Sequence, residues 1–377
     1  MFSMITQETS RMDVIELFKF FINTKSETPD DGGLLDFIEE YLEGFDAVRV
    51  DVEDVKNLFI YKKFGEGEHL CFAGHVDVVP AGNNWDTNPY EAVEKDGYIY
   101  GRGTQDMKSG VAAFTQALKE TKEFQGTLSL LLTSDEEGEA VHGTVKVLEF
   151  LENNDMLPDA CVVAEPTCEE HFGDAIKVGR RGSINGYLTL KGKQGHAAYP
   201  EKAINPIHKI AKVLDSIAGI DLDNGDEAFA PSKFVITDIR SGMEVTNVTP
   251  NDLKMMFNVR NNTKTEQKDI INFIAEHFDG LDYELRLTQG SYPFRTDTDT
   301  KLVKHIDKAI EAVTGLQPKH STAGGTSDAR FIAPMGVDVI EFGVKNDSIH
   351  SVNERTTRKE VEDLHKVFKN LIENWES

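Results

Sequence analysis

The apolar run Leu130-Leu131-Leu132-Thr133 gives way to Ser134-Asp135-Glu136-Glu137-Gly138, so three consecutive carboxylates stand at the end of what reads as a buried strand. Adjacent carboxylates repel one another and resist desolvation, which makes a metal ion beside them the first hypothesis. A solvated acidic turn is the alternative for any charge run. Further residues of metal-ligating type recur along the chain. His75-Val76-Asp77 follows the run 70–73, and alternate residues of an extended chain point the same way. The Asp77 carboxylate can then fix the His75 tautomer and present the other ring nitrogen to a metal, although a structural histidine gives the same pattern. Asp106 closes the glycine-rich stretch Gly101-Arg102-Gly103-Thr104-Gln105-Asp106 just ahead of a helix, where an N-cap is the competing role. Glu165 follows the run 160–164, and His350 follows the run 337–342 through a short polar loop.

The elements that must position these residues alternate in type. Helical spacing puts Val14, Leu17, Phe18 and Phe21 on one face over 13–22, and a second helical pattern covers 34–42. Strand-like runs at 47–50, 57–61 and 70–73 precede a stretch rich in Gly, Asn and Pro, 74–103, whose length marks a functional loop. A helix at 109–118, a buried strand at 126–133, a helix at 143–151 and a strand at 160–164 complete crossover units of a largely parallel sheet. From Gly179 the pattern changes. Residues 183–190 alternate apolar and polar, and a helix at 206–217, strands at 234–239 and 253–259, a helix at 267–278 and a strand at 283–287 give a two-layer, ferredoxin-like set. After Pro293 come a helix at 301–313, a strand at 337–342 and a terminal helix at 358–375. The expected fold class is therefore α/β: a mixed, mostly parallel-sheet domain flanked by helices (1–178 and 293–377), with an inserted ferredoxin-like α+β domain (179–292). In open α/β sheets ligands bind beyond the carboxyl ends of the strands, and His75, Asp106, Glu136, Glu137, Glu165 and His350 all fall at or near such ends.

A chain of 377 residues with a formal charge of -25 has no dominant attraction to nucleic acid or to anionic membranes, and an anionic substrate needs local positive charge at its site. No apolar run is long enough for a membrane span, and residues 1–11 lack the basic-then-apolar pattern of a signal peptide. Cys71, Cys161 and Cys168 make an odd count without paired spacing, as expected of buried thiols in a reducing compartment; the expected location is the cytoplasm.

Taken together, Gly74-His75-Val76-Asp77-Val78-Val79-Pro80, Gly101-Arg102-Gly103 with Asp106-Met107-Lys108, Ser134-Asp135-Glu136-Glu137-Gly138 and Glu165-Pro166 resemble the motifs of the zinc-dependent aminoacylase and carboxypeptidase superfamily of co-catalytic metallohydrolases. The resemblance runs over essentially the full length. It implies two Zn2+ per subunit, with Co2+ or Mn2+ as substitutes: Asp106 bridges them, His75 and Glu165 complete one site, and Glu137 and His350 the other. It implies Glu136 as general base and Asp77 as the residue that orients His75. Gly179-Arg180-Arg181-Gly182-Ser183, Gly195-His196-Ala197-Ala198-Tyr199-Pro200 and Gly324-Gly325-Thr326-Ser327-Asp328-Ala329-Arg330-Phe331 narrow the resemblance to members that hydrolyse N-succinyl-LL-2,6-diaminopimelate to succinate and LL-2,6-diaminopimelate, on the way to lysine and peptidoglycan. Such a substrate carries several carboxylates, which guanidinium groups hold well. The resemblance assigns Arg180, Ser183, Asn247, Arg260, Thr326 and Asn346 to substrate binding, and has His196 stabilise the oxyanion across a homodimer interface formed by the inserted domain, which also closes over the site. A related deacylase such as an acetylornithine deacetylase, or a carboxypeptidase, is the near alternative. A non-catalytic zinc-binding scaffold is the distant one, and the retention of Glu136 argues against it. Thr104-Gln105 is bulkier than the small residues usual before the bridging aspartate. His142, His171 and Cys168 are expected to be structural or incidental, and Asp135 has no assigned task.

Overall fold

Asp13 caps the first described helix, α1 (Val14–Asn23): its carboxylate accepts the amides of Ile15 and Glu16, while Glu16 accepts the amide of Asp13. The computed structural model describes residues 12–375, so the stretch 1–11, with its expected lack of a signal peptide, lies outside the described residues. From α1 the chain passes through α2 (Leu34–Tyr41), β1 (Asp46–Arg49), β2 (Asn57–Lys63), β3 (His69–His75), β4 (Val93–Lys95), β5 (Tyr98–Tyr100), α3 (Lys108–Glu120), β6 (Thr127–Thr133), α4 (Thr144–Asn153), β7 (Ala160–Val163) and β8 (Ala175–Lys177). It then forms β9 (Ser183–Lys191), α5 (Pro206–Ile210), α6 (Leu214–Ile217), β10 (Lys233–Ser241), β11 (Asp252–Arg260), α7 (Gln267–His277) and β12 (Tyr283–Ser291). Last come α8 (Lys301–Thr314), β13 (Lys319–Ser321), α9 (Ala329–Ile332), β14 (Asp338–Glu341), β15 (Arg355–Thr357) and α10 (Arg358–Glu373).

Two compact units divide the chain. The first takes the described residues of Met1–Gly179, Arg295–Ser321 and Ser327–Ser377, and the second takes Arg180–Phe294 with Thr322–Thr326. The large sheet of the first unit runs β1-β2-β6-β3-β7-β14-β8-β13. It is parallel across β6, β3, β7 and β14 and between β8 and β13, and antiparallel elsewhere. The fold is thus mixed α/β with a mostly parallel central sheet. On one face Leu70, Phe72, Leu128, Leu130, Leu132 and Ile340 meet Phe18, Phe21, Phe114, Ile306 and Phe368 from α1, α3, α8 and α10. Each such side chain stabilises the fold by about 1.5–3 kcal/mol through burial.

The start of α3 is fixed by Lys108. This lysine is fully buried and donates to the carbonyls of Phe21 and Thr24 at the end of α1 (2.9 and 2.8 Å). A cation there meets the negative end of the helix dipole, and burial brings its ammonium down to about 7.

In the second unit the strands run β10-β11-β9-β12, all antiparallel, with α7 and the α5–α6 segment packed on one face through Ile184, Leu188, Phe234, Met255, Phe257, Ile270 and Ile274. This is the ferredoxin-like arrangement. The helix expected over 206–217 breaks in two because the amides of Lys212 and Val213 donate three residues back, to Lys209 and Ile210, which overtightens one turn. The loop 74–103 contains the hairpin β4/β5, whose second strand pairs with β15. Among the described residues no helix is long and apolar enough to cross a membrane.

Candidate metal centre

β3 delivers His75 as its last residue, fully buried, and the ring is oriented by the turn that follows. Its Nδ1 donates to the main-chain oxygen of Asp77 at 2.9 Å, while the Asp77 carboxylate lies 3.5 Å away. The tautomer is therefore held first by the backbone carbonyl. The Asp77 carboxylate accepts the amides of Glu136 and Glu137 (3.4 and 3.2 Å), so it fixes the acidic turn as well as the histidine. With Nδ1–H engaged, the lone pair of Nε2 faces Asp106 Oδ1 at 3.1 Å and Glu165 Oε1 at 3.8 Å. A lone pair aimed at carboxylate oxygens requires a cation, a proton or a metal, to be favourable.

The other oxygen of Asp106 faces a second histidine. His350 Nε2 is 3.3 Å from Asp106 Oδ2 and 2.8 Å from Glu137 Oε1. His350 sits on left-handed backbone (φ 55°), a conformation that costs a non-glycine residue energy and here belongs to the loop that turns the ring toward these acids. Ligand atoms of His75, Asp106 and Glu137 lie within 4.8 Å of one another, as do those of His75, Glu136 and Glu165.

The charges record the imbalance. Burial opposes protonation of His75, but hydrogen bonds to Asp106 and Asp77 hold the imidazole well above its usual range. Hydrogen bonds to Asp106 and Glu137 push His350 up to about 10. Burial, then neighbouring carboxylates, raises Glu136 and Glu165 well above ordinary values, whereas the two histidines hold Asp106 below its own against its burial. Four carboxylates and two imidazoles in one recess are short of positive charge. The donor set, imidazole nitrogen plus carboxylate oxygen, fits zinc or a related divalent ion.

A match to the model of "Peptidase family M20/M25/M40" spans residues 71–374. The chain belongs to this peptidase family. Among curated proteins it is 72% identical over 364 residues to a succinyl-diaminopimelate desuccinylase of Sulfurimonas denitrificans, covering 97% of this chain and 100% of that protein. It is 66% identical, with the same coverage, to one of Nitratiruptor. Among solved structures, the Bacillus cereus aminopeptidase PepT superposes with a TM-score of 0.81 at 19% identity, covering 97% of this chain and 98% of that one, a likeness of fold.

In this M20/M25/M40 member the remaining candidate residues are distributed over both units. Asn346 belongs to the first unit, where its amide donates to the Cys168 carbonyl (3.1 Å). Arg180, Ser183, His196, Asn247, Arg260 and Thr326 belong to the second. There Arg180 is buried, donates to the Ala323 carbonyl at 2.9 Å, and lies so close to Gly324 that a Cβ at that glycine would stand 2.4 Å from the guanidinium. Ser183 Oγ accepts from Asn258 (2.9 Å), and Arg260 ends β11. His196 and Asn247 are exposed neighbours, since the Asn247 carbonyl accepts the amide of Ala197. The second unit thus forms two groups, Arg180 with the 322–326 segment and His196 with Asn247.

Residues to which the motifs assigned no role brace the loops around the candidate centre. Asp135 is buried and accepts the amide of His142 at 3.1 Å, closing the turn that carries Glu136 and Glu137. The His142 carbonyl accepts from Asn57 (2.8 Å), the His171 amide donates to Asp174 (2.9 Å), and the Cys168 thiol donates to the Gly343 carbonyl (3.2 Å), all structural contacts. Gln105, the bulky residue before Asp106, donates to Asp347 (2.6 Å) and accepts the amide of Ser348 (2.8 Å), while fully buried Glu354 gathers donors from the Asp106 loop. The signal for these was present in type only: an amide side chain beside one ligand, and a carboxylate four residues beyond another.

Proposed function

We propose that this chain is a dinuclear zinc amide hydrolase that converts N-succinyl-LL-2,6-diaminopimelate and water to succinate and LL-2,6-diaminopimelate. The reaction class rests on one observation above all: the two carboxylate oxygens of Asp106 face two different histidines, each of which also faces a further carboxylate. The substrate rests on the name shared by relatives at 72% and 66% identity.

In this reading His75 and Glu165 would hold one metal ion, Glu137 and His350 the other, and Asp106 both. When bound, the ions supply a Lewis acid for the amide carbonyl and lower the pKa of water. The chain does the rest. Glu136, whose burial favours the protonated acid once a proton has arrived, takes the proton of the attacking water and returns it to the leaving amine. The turn 136–139, closed by Asp135 and held by Asp77, aims Glu136 and Glu137 differently although they are sequence neighbours. Arg180, Ser183, Asn247, Arg260, Thr326 and Asn346 bind the substrate. His196 donates to the developing oxyanion of a second copy in a homodimer. Dimerisation through the second unit is supported by its surface: Val235 and Ile239 on edge strand β10, with Met256 on β11 and Met243 and Val245 beyond β10, are exposed apolar side chains. Buried free thiols at Cys71, Cys161 and Cys168 accord with a cytoplasmic location.

The test is turnover of N-succinyl-LL-2,6-diaminopimelate beside N-acetylornithine by the zinc-loaded protein. Fast desuccinylation with little deacetylation is expected, and brisk deacetylation with no measurable desuccinylation would overturn the substrate assignment.

A further inference from the structure

Glu354 has no part in the chemistry above, yet it occupies a singular position. Its carboxylate is fully buried and takes Arg102 Nη1 at 2.8 Å and the main-chain amides of Gly103, Gln105 and Asp106 at 3.0, 2.7 and 3.2 Å. Those donors are the loop that ends in Asp106. Glu354 itself stands four residues beyond His350, and its carbonyl accepts the Gly101 amide (3.1 Å). Between the same two loops Gln105 donates to Asp347 and accepts the amide of Ser348, and Asn353 pairs through its side chain with Asp86, earlier in the stretch 74–103. One buried carboxylate therefore locks the backbone of Asp106 to the segment that presents His350.

The two metal positions depend on this lock unequally. His75 ends β3, its ring is held by the next residues of its own segment, and Glu165 follows β7, a strand flanked on both sides in the sheet. His350, by contrast, lies in a loop on left-handed backbone with its side chain half exposed.

We propose that Glu354 is a positioning residue that sets the distance between Asp106 and His350 and so governs retention of the metal ion that Glu137 and His350 would hold. The inference rests on the two-metal reading. Each Glu354 oxygen takes two of the four donors, so neutralising the carboxylate replaces a charged acceptor by an amide whose NH2 opposes two of them, which loosens the His350 side of the pair and leaves the β3 and β7 side in place.

The experiment titrates Co2+ into the metal-free full chain of wild type and Glu354→Gln, following heat of binding and the visible absorption of each equivalent. Binding of two equivalents by the wild type establishes the reading beneath; a wild type that takes up only one overturns that reading and the proposal with it. For Glu354→Gln the expected result is a second equivalent bound about 10- to 100-fold more weakly, with its absorption band altered and the first equivalent near its wild-type affinity. Equal weakening of both equivalents, as a general packing role would give, or no weakening of either, overturns the proposal. Should Glu354→Gln fail to fold, Gln105→Ala removes two cross-loop hydrogen bonds without touching the buried charge and is judged by the same selective loss.

Discussion

Glu136 and Glu137 are adjacent in sequence and differ in what they touch. Glu137 reaches His350 at 2.8 Å, while Glu136 groups with His75 and Glu165. Metal binding in this reading needs only one of the pair, so Glu136→Gln should keep both metal equivalents by elemental analysis and lower kcat by about 10²- to 10⁴-fold, the range of a general acid–base. Loss of metal from that variant would return Glu136 to the ligand set. A second titratable residue, far from the chemistry, tests the electrostatics of the sheet. Burial brings His69 down to about 4, and its Nε2 lies 2.7 Å from Ser129 Oγ. The unfolded chain then binds a proton near the ordinary histidine value that the folded chain refuses, so stability is full above pH ~6.5 and falls as pH drops toward ~4. Urea unfolding at pH 7 and pH 4.5 should show wild type losing about 2 kcal/mol more than His69→Gln over this window; equal losses would place His69 in a more solvated site.

Elements were readable from the sequence where they are long enough for their pattern to show. The helix α1 and the apolar strands β3 and β6 announce themselves through the helical spacing of Val14, Leu17, Phe18 and Phe21 and through their apolar runs. The three-residue strands β4, β5, β8, β13 and β15 do not, since a period of two cannot be established over three positions and β5 finds its partner β15 more than two hundred residues away. The same physics divides the site. Candidate ligands at strand ends, such as His75 and Glu165, could be placed by pattern, whereas the contacts of Gln105 and Glu354 depend on two loops meeting in space. Packing between elements also reaches the neighbourhood of the candidate site. Gly110 on α3 lies against Ala164, the neighbour of Glu165, and a Cβ there would stand 2.5 Å from both the Cβ and the carbonyl oxygen of Ala164. Helix propensity alone would favour Ala over Gly by about 1 kcal/mol. Gly110→Ala should nevertheless destabilise the metal-free protein by about 1–3 kcal/mol, because the Ala164 backbone cannot yield. Thermal unfolding checks the sign, and a stabilised variant would show that α3 can move away from β7.

At the scale of the whole molecule, the proposed reading draws a hydrogen-bond donor for the developing oxyanion from the second unit. The proposed donor, His196, is exposed on the second unit beside Asn247, in the unit that also carries the apolar edge around Val235 and Ile239. Closed two-fold symmetry makes each such surface serve its copy, so a donor supplied across the interface is supplied twice. Ile239→Asp should then shift sedimentation from dimer to monomer and abolish turnover while leaving metal content intact. Subunit mixing separates a donor in trans from one in cis. Glu136→Gln and His196→Ala are each expected to be nearly inactive, the latter by about 10²- to 10³-fold in kcat. In a mixed dimer, one site combines an intact Glu136 with the partner copy's intact His196, and the other site is doubly impaired. Random reassortment of equal amounts makes half the dimers mixed, each with one working site of two, so about a quarter of wild-type activity should return. If His196 acted within its own subunit, the mixture would stay as inactive as its parents, because every site would still lack one of the two groups.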